Sequence, residues 1–189
     1  MKWNNLKPDI SASSIAKVAV KLTAIDMVKL IFQTAECPLV ILSDHVRAKI
    51  MKHLLSKRVE LGGLLIGRVV SIDDLSKGLV SVNVKDSIES NDFHSTSVSL
   101  CMNTTVWQSA SYMCDTETFV VGWYHSHPNL GAFFSGVDKK TQRDFFNSTF
   151  NLGLVIDPIR NEEKWFIGPD STEVNLANVR SNFYGLEMV

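Results

Sequence analysis

Apolar residues along this chain switch between short runs, strict alternation and a helical period, and each switch marks an element. Pro38-Leu-Val-Ile-Leu42 is a continuous apolar run of the kind found in buried strands. Ser43 then caps a helix expected to reach about residue 57, with Val46, Ile50, Met51, Leu54 and Leu55 on its buried side. Glu60 follows that helix, at the start of an expected strand over residues 61–70. Residues 71–78 are polar and acidic and predict a turn, and residues 79–84 alternate as a hairpin partner. Residues 87–96 are polar and predict a loop. A short strand over 97–102 and a helix over 104–114 come next. The run from Phe119 to His127 is β-branched and aromatic and predicts a strand. A helix over 135–148 and strands over 152–156 and 164–167 follow, and residues 172–189 leave room for a final short helix. Strands interspersed with helices predict an α/β fold with a mixed sheet and flanking helices.

The amino-terminal pattern differs. Ile15, Val18, Leu22, Ile25 and Phe32 recur with helical spacing, with Ser13 or Ser14 as the cap. The alternation from Lys17 to Leu22 leaves a strand open as the other reading. Lys17, Lys21, Asp26 and Lys29 are too many charges for a spanning helix, and the layout does not suit a cleaved signal peptide. Such a segment either packs on the domain or serves as a docking arm for a partner protein or a second copy of the chain. Glu36-Cys-Pro38 marks the joint. The organisation is therefore an appendage over residues 1–36, a domain over 37–178 and a tail over 179–189.

Composition narrows the function. At 189 residues, 45 % hydrophobic and 21 % charged, the chain suits one globular domain with a substantial core. The net charge of −1 and the scattered basic residues argue against nucleic acid and against an anionic membrane as partners. Three cysteines, Cys37, Cys101 and Cys114, are an odd number without a spacing pattern, as expected of reduced thiols in a cytoplasmic protein. His45 and His53 are eight residues apart on the expected helix and do not face each other as metal ligands.

The chemistry is concentrated in Gly122-Trp-Tyr-His125-Ser-His127-Pro128 and Ser135-Gly-Val-Asp138. Residues i and i+2 of a strand share a face, so His125 and His127 present both imidazoles to one point while Ser126 faces away. Pro128 suits the strand end. Ser135 and Asp138 match a helix N-cap pattern, which puts the Asp138 carboxylate in the first turn, able to face back toward the strand end. Two imidazoles and one carboxylate leave a fourth tetrahedral position open, as in catalytic rather than structural zinc sites. Taken singly, His-x-His, Ser-x-x-Asp and Glu60 are ordinary features; their combination in this order is not.

That combination resembles the JAMM motif of the JAB/MPN/Mov34 metalloprotease family, whose pattern is an upstream Glu, His-x-His-Pro and Ser-x-x-Asp. Glu60, His125, His127, Pro128, Ser135 and Asp138 supply every element. Thr141-Gln142, Val155-Ile-Asp-Pro158 and Arg160 extend the likeness, which spans roughly residues 38–170. The resemblance implies a JAB/MPN-type, cytidine-deaminase-like fold. It implies one Zn²⁺ per chain held by His125, His127 and Asp138, with Glu60 as general base and Ser135 as oxyanion donor. The implied activity is a zinc-dependent isopeptidase or peptidase, cleaving after the carboxy-terminal glycine of a ubiquitin-like protein or its conjugate. The polar residues 87–96 would then form a flap over an extended substrate tail. Between Pro158 and Lys164 there is no room, and no Cys or His, for the second zinc site of the chain-trimming relatives. The short form is closer to the bacterial and archaeal members. A non-catalytic MPN scaffold and a zinc hydrolase of small amides are the alternatives; the intact motif speaks against the scaffold.

Overall fold

The computed structural model describes residues 10–19, 22–34, 37–75, 77–90, 94–95, 100–101 and 104–182. In chain order these form β1 (Ser13–Ser14), α1 (Ile15–Ala19), α2 (Ala24–Thr34), β2 (Leu39–Leu42), α3 (Asp44–Leu54), β3 (Gly62–Asp74) and β4 (Lys77–Ser90). β5 (His94–Ser95), β6 (Leu100–Cys101), α4 (Thr104–Met113), β7 (Phe119–Ser126) and α5 (Gly136–Phe145) follow. The last elements are β8 (Leu152–Asp157), β9 (Glu162–Ile167), β10 (Thr172–Val174), a 3₁₀ turn (Leu176–Asn178) and β11 (Val179–Arg180).

The expected α/β architecture is present, with one mixed sheet in the order β10-β9-β8-β7-β3-β4-β2-β11 and β1 added beside β3. β3 is its spine. It runs antiparallel to β4 on one side and to β7 on the other, and pairs β1 in parallel through Ser13–Val70 and Ser14–Ser71. β7 then runs parallel to β8. Successive residues of β3 face opposite sides. Leu65 and Val69 join one core with Val46, Ile50 and Leu54 of α3, whereas Leu64 and Ile66 join a second with Val106 and Ala110 of α4, Trp123, Phe134 and Phe146. A smaller cluster joins Leu30 of α2 to Leu39, Ile41, Val70 and Val80. Ser43 caps α3 as expected, its hydroxyl accepting from the Val46 N–H.

The structure departs from the sequence expectations at four places. The expected turn over 71–78 is mostly strand, because β3 continues to Asp74 and β4 starts at Lys77. The expected loop over 87–96 is strand as far as Ser90 and again at His94–Ser95. Ser87 and Ser90 lie opposite Leu65 and Gly62 of β3, so their ladder partners are main-chain groups that a polar pattern does not advertise. A flap would have to begin beyond Ser90, where residues 91–93 and 96–99 lie outside the described residues. The amino-terminal helix is two helices, α1 and α2, and Lys21 between them, like Glu36, lies outside the described residues. Of the residues with helical spacing, Ile25 and Phe32 are exposed, and among the described side chains of α2 it is Leu30 that is buried. Part of this segment is fixed to the domain, with the Ser11 N–H donating to the Thr116 carbonyl at 2.7 Å and Lys17 paired with Glu117 at 3.0 Å. Of the stretch where a final helix was expected, residues 172–180 form β10, the 3₁₀ turn and β11, which pairs β2, and residues 183–189 lie outside the described residues. Among the described residues no helix is long and apolar enough to cross a membrane.

Candidate metal centre

His125 is the next-to-last residue of β7, and its ladder with β8 continues one residue past the strand, where the His127 N–H donates to the Ile156 carbonyl at 2.9 Å. Both histidines therefore stay on one face, as the spacing predicted. The chain then turns through Asn129 and Gly131, both at positive φ, 63° and 90°. It enters α5 at Ser135, whose hydroxyl accepts from the Asp138 N–H at 3.2 Å while Asp138 Oδ2 accepts from the Ser135 N–H at 2.6 Å. That reciprocal capping box fixes the carboxylate over the strand end.

Among the described residues, His125, His127 and Asp138 are the cluster whose potential ligand atoms all lie within 4.8 Å of one another, and all three are buried. The two Nε2 atoms are 3.1 Å apart. The Asp138 carboxylate oxygens are 3.3 Å from His125 Nε2 and 3.7 Å from His127 Nε2. Donors held at zinc-ligand distances around a tetrahedral centre would be about 3.3–3.4 Å apart. Two imidazole nitrogens aimed at each other can share only one proton, and a carboxylate adds a third acceptor, so the donor set suits a cation.

The electrostatics of His127 and Asp138 favour their ligand forms. Burial, and then the neighbouring His125, push the His127 pKa down, against opposing pulls from Asp138, Glu60 and the Gly131 main chain. Burial alone would raise the Asp138 pKa. The hydrogen bond and charge of His125 and the bonds from the Ser135 hydroxyl and N–H outweigh it and hold the carboxyl at about 2. A neutral imidazole and an ionised carboxylate are the forms that bind metal.

Glu60 is half-buried and lies just outside β3. The ladder pairs Gly62 with His125, and the Ser126 N–H donates to the Leu61 carbonyl at 2.8 Å. The Leu61 N–H in turn donates to the Ser126 hydroxyl at 3.1 Å. Glu60 thus falls opposite His127, close enough for its charge to act on that ring. Sequence reasoning assigned Ser126 only to the far face of the strand. Its pair of hydrogen bonds with Leu61 fixes the main chain beside Glu60.

Asp157 was also missed as a working residue. Its fully buried carboxylate accepts the main-chain N–H groups of Asn129, Ile159 and Arg160 at one oxygen, at 3.0, 3.0 and 3.1 Å, and that of Gly131 at the other, at 2.8 Å. Burial raises its pKa, but those four donors outweigh burial and hold it at about 2. The turn after His127 is built on this carboxylate. An aspartate ending an apolar strand just before a proline was its only signal. Phe133, itself exposed, packs against His127, its ring centroid 4.9 Å from that of His127.

Residues 37–149, more than half of the chain, match the profile of the JAB1/Mov34/MPN/PAD-1 ubiquitin protease family. The chain belongs to this family. It is 33 % identical over 129 residues to the ubiquitin carboxyl-terminal hydrolase RPN11 of Saccharomyces cerevisiae, a match covering 65 % of this chain and 39 % of that protein. It is 32 % identical over 128 residues to the 26S proteasome non-ATPase regulatory subunit 14 of Caenorhabditis elegans, covering 65 % and 38 %. Over 56 residues it is 50 % identical to the COP9 signalosome complex subunit 5 of the same nematode, covering 26 % and 15 %. Each match spans well under half of the relative's length. The fold resembles the solution structure of a Desulfitobacterium hafniense protein, with a TM-score of 0.56 and 22 % identity, covering 72 % of this chain and 90 % of that one.

Proposed function

We propose that this JAB/MPN-family chain is a zinc-dependent isopeptidase that cleaves after the carboxy-terminal glycine of a ubiquitin-like protein. The observation that carries the reading is the convergence of His125, His127 and Asp138 on one buried point, with Glu60 beside it. His125, His127 and Asp138 are read as the ligands of one Zn²⁺ per chain. When bound, zinc would polarise the scissile carbonyl and ease ionisation of the attacking water. Glu60 accepts the proton of that water and returns it to the leaving amine. Ser135, held at the mouth of α5, turns its O–H toward the carbonyl oxygen as negative charge develops there. Asp138 remains an acceptor throughout, because its capping box and His125 favour the ionised form. Residues 37–178 are read as the catalytic domain, acting in the cytoplasm, with residues 1–36 as its appendage.

The substrate tail is expected to lie extended beside the site, held by main-chain hydrogen bonds, with glycine at the bond to be cut because Phe133 leaves little space beside His127. The test is cleavage of a ubiquitin-like fusion and of the same fusion with its last tail Gly→Ala. Cleavage of the first, with at least ~10-fold slower cleavage of the second, is expected. Equal cleavage of both, or activity on small amides alone, would overturn the substrate assignment.

A further inference from the structure

Asp138 and His125 sit on different elements, and one buried amide ties those elements together. Gln142 lies one turn beyond Asp138 on α5 and is fully buried. Its Oε1 accepts the Trp123 indole N–H at 2.7 Å. Its amide nitrogen lies 2.9 Å from the Asn151 carbonyl, 3.2 Å from that of Gly168 and 3.3 Å from that of Phe146. Turning the amide over would set its N–H groups against the indole N–H and its oxygen against three carbonyls, so one orientation is enforced.

Trp123 precedes His125 by two residues and shares its face of β7. The two rings stack with centroids 4.6 Å apart and planes within 9°. Phe134 tilts against both, at 5.6 and 5.9 Å, and Phe146 stacks on Trp123 at 5.8 Å. The indole plane sets the plane of the His125 imidazole, and the bond to Gln142 stops the indole from sliding. The surrounding cluster is otherwise apolar, where an unsatisfied amide would be costly.

We propose that Gln142 is a positioning residue for the metal centre, orienting His125 through Trp123 and locking α5, with Asp138, to the strand that carries His125. This rests on the metal reading above. Partners behind metal ligands typically contribute 10–100-fold in affinity.

The experiment measures the zinc dissociation constant by chelator competition, the visible spectrum of the Co²⁺-loaded protein and the Tm of the metal-free protein. The proteins are wild type, Gln142→Glu, Trp123→Phe and Val46→Ala. Glutamate can still accept from Trp123 but places a carboxylate against three carbonyls; phenylalanine removes the indole N–H and leaves Gln142 intact. Val46 is buried in α3 on the opposite core, so its truncation lowers Tm without touching the network. Zinc binding weakened roughly 10–100-fold with an altered Co²⁺ spectrum is expected for the first two variants, and wild-type binding and spectrum for Val46→Ala. Should Gln142→Glu not fold, Trp123→Phe decides alone. Wild-type zinc binding and spectrum in the folded network variants, or equal weakening in Val46→Ala, would overturn the proposal while leaving the metal reading intact. No zinc binding by the wild type would remove both.

Discussion

Replacing Asp157 with asparagine tests how the turn after His127 is held. Asparagine matches the shape but not the charge. One oxygen can still accept from Asn129, Ile159 and Arg160, but the group facing the Gly131 N–H at 2.8 Å becomes an NH₂. The Gly131 donor is buried, so leaving it without an acceptor costs about 1–3 kcal/mol. The other three bonds lose their charge assistance but can draw on water, a few tenths to about 1 kcal/mol each. The sum is about 2–6 kcal/mol, a large fraction of a typical domain stability. With a urea m-value of about 2 kcal/mol/M, the unfolding midpoint should fall by roughly 1–3 M at pH 7. The pH dependence carries the sign. Asp157 is held at about 2 in the fold, against an ordinary 3.8. Its contribution is therefore complete above about pH 4–5 and is lost as pH falls through 3.8 toward 2. The gap between wild type and Asp157→Asn should narrow from pH 7 to pH 3. A midpoint shift below ~0.3 M, or a gap that does not change with pH, would refute the reasoning.

The remaining predictions concern single side chains. Glu60→Gln should keep the fold and the bound zinc but lose turnover by roughly 10²-fold or more; near-normal turnover would give the proton to another group. Ser135→Ala should also lose on the order of 10²-fold in turnover and about 1 kcal/mol of stability from the lost cap, read by kinetics and urea melts. Gly153→Ala should destabilise by about 1–3 kcal/mol, because a Cβ there would stand 2.3 Å from the Phe134 ring; an unchanged Tm would show that Phe134 moves aside freely. His53 is buried against the Tyr124 hydroxyl at 2.9 Å, and burial lowers its pKa. It takes up a proton less readily in the fold than in the unfolded chain, so it should draw down stability as pH falls below its unfolded value of about 6.5, and a zinc-loaded His53→Gln protein should show a flatter stability profile between pH 7 and 5.

What was legible in the sequence was local. The placement of His125 and His127 follows from the two-residue period of a strand, and that of Asp138 from a capping pattern three residues long; neither needs knowledge of the rest of the chain. The helix after Ser43 was readable for the same reason. What was hidden depends on partners distant in sequence. Ser87 and Ser90 look like loop residues until β3 lies alongside them. The outward-facing Ile25 and Phe32 carry the same helical spacing as a buried stripe, and only the contacts of Leu30 reveal which side of α2 faces the sheet. Asp157 and Gln142 fell inside quoted motif segments, yet their work was invisible because it consists of bonds to carbonyls and N–H groups on other elements.

The central claim, a single zinc held by His125, His127 and Asp138, is tested most directly by elemental analysis of the purified wild type beside a His125→Ala/His127→Ala double variant. The account predicts one zinc per wild-type chain and none in a double variant that remains folded. Full zinc retention in that variant, or a metal-free wild type after exposure to zinc, would contradict it.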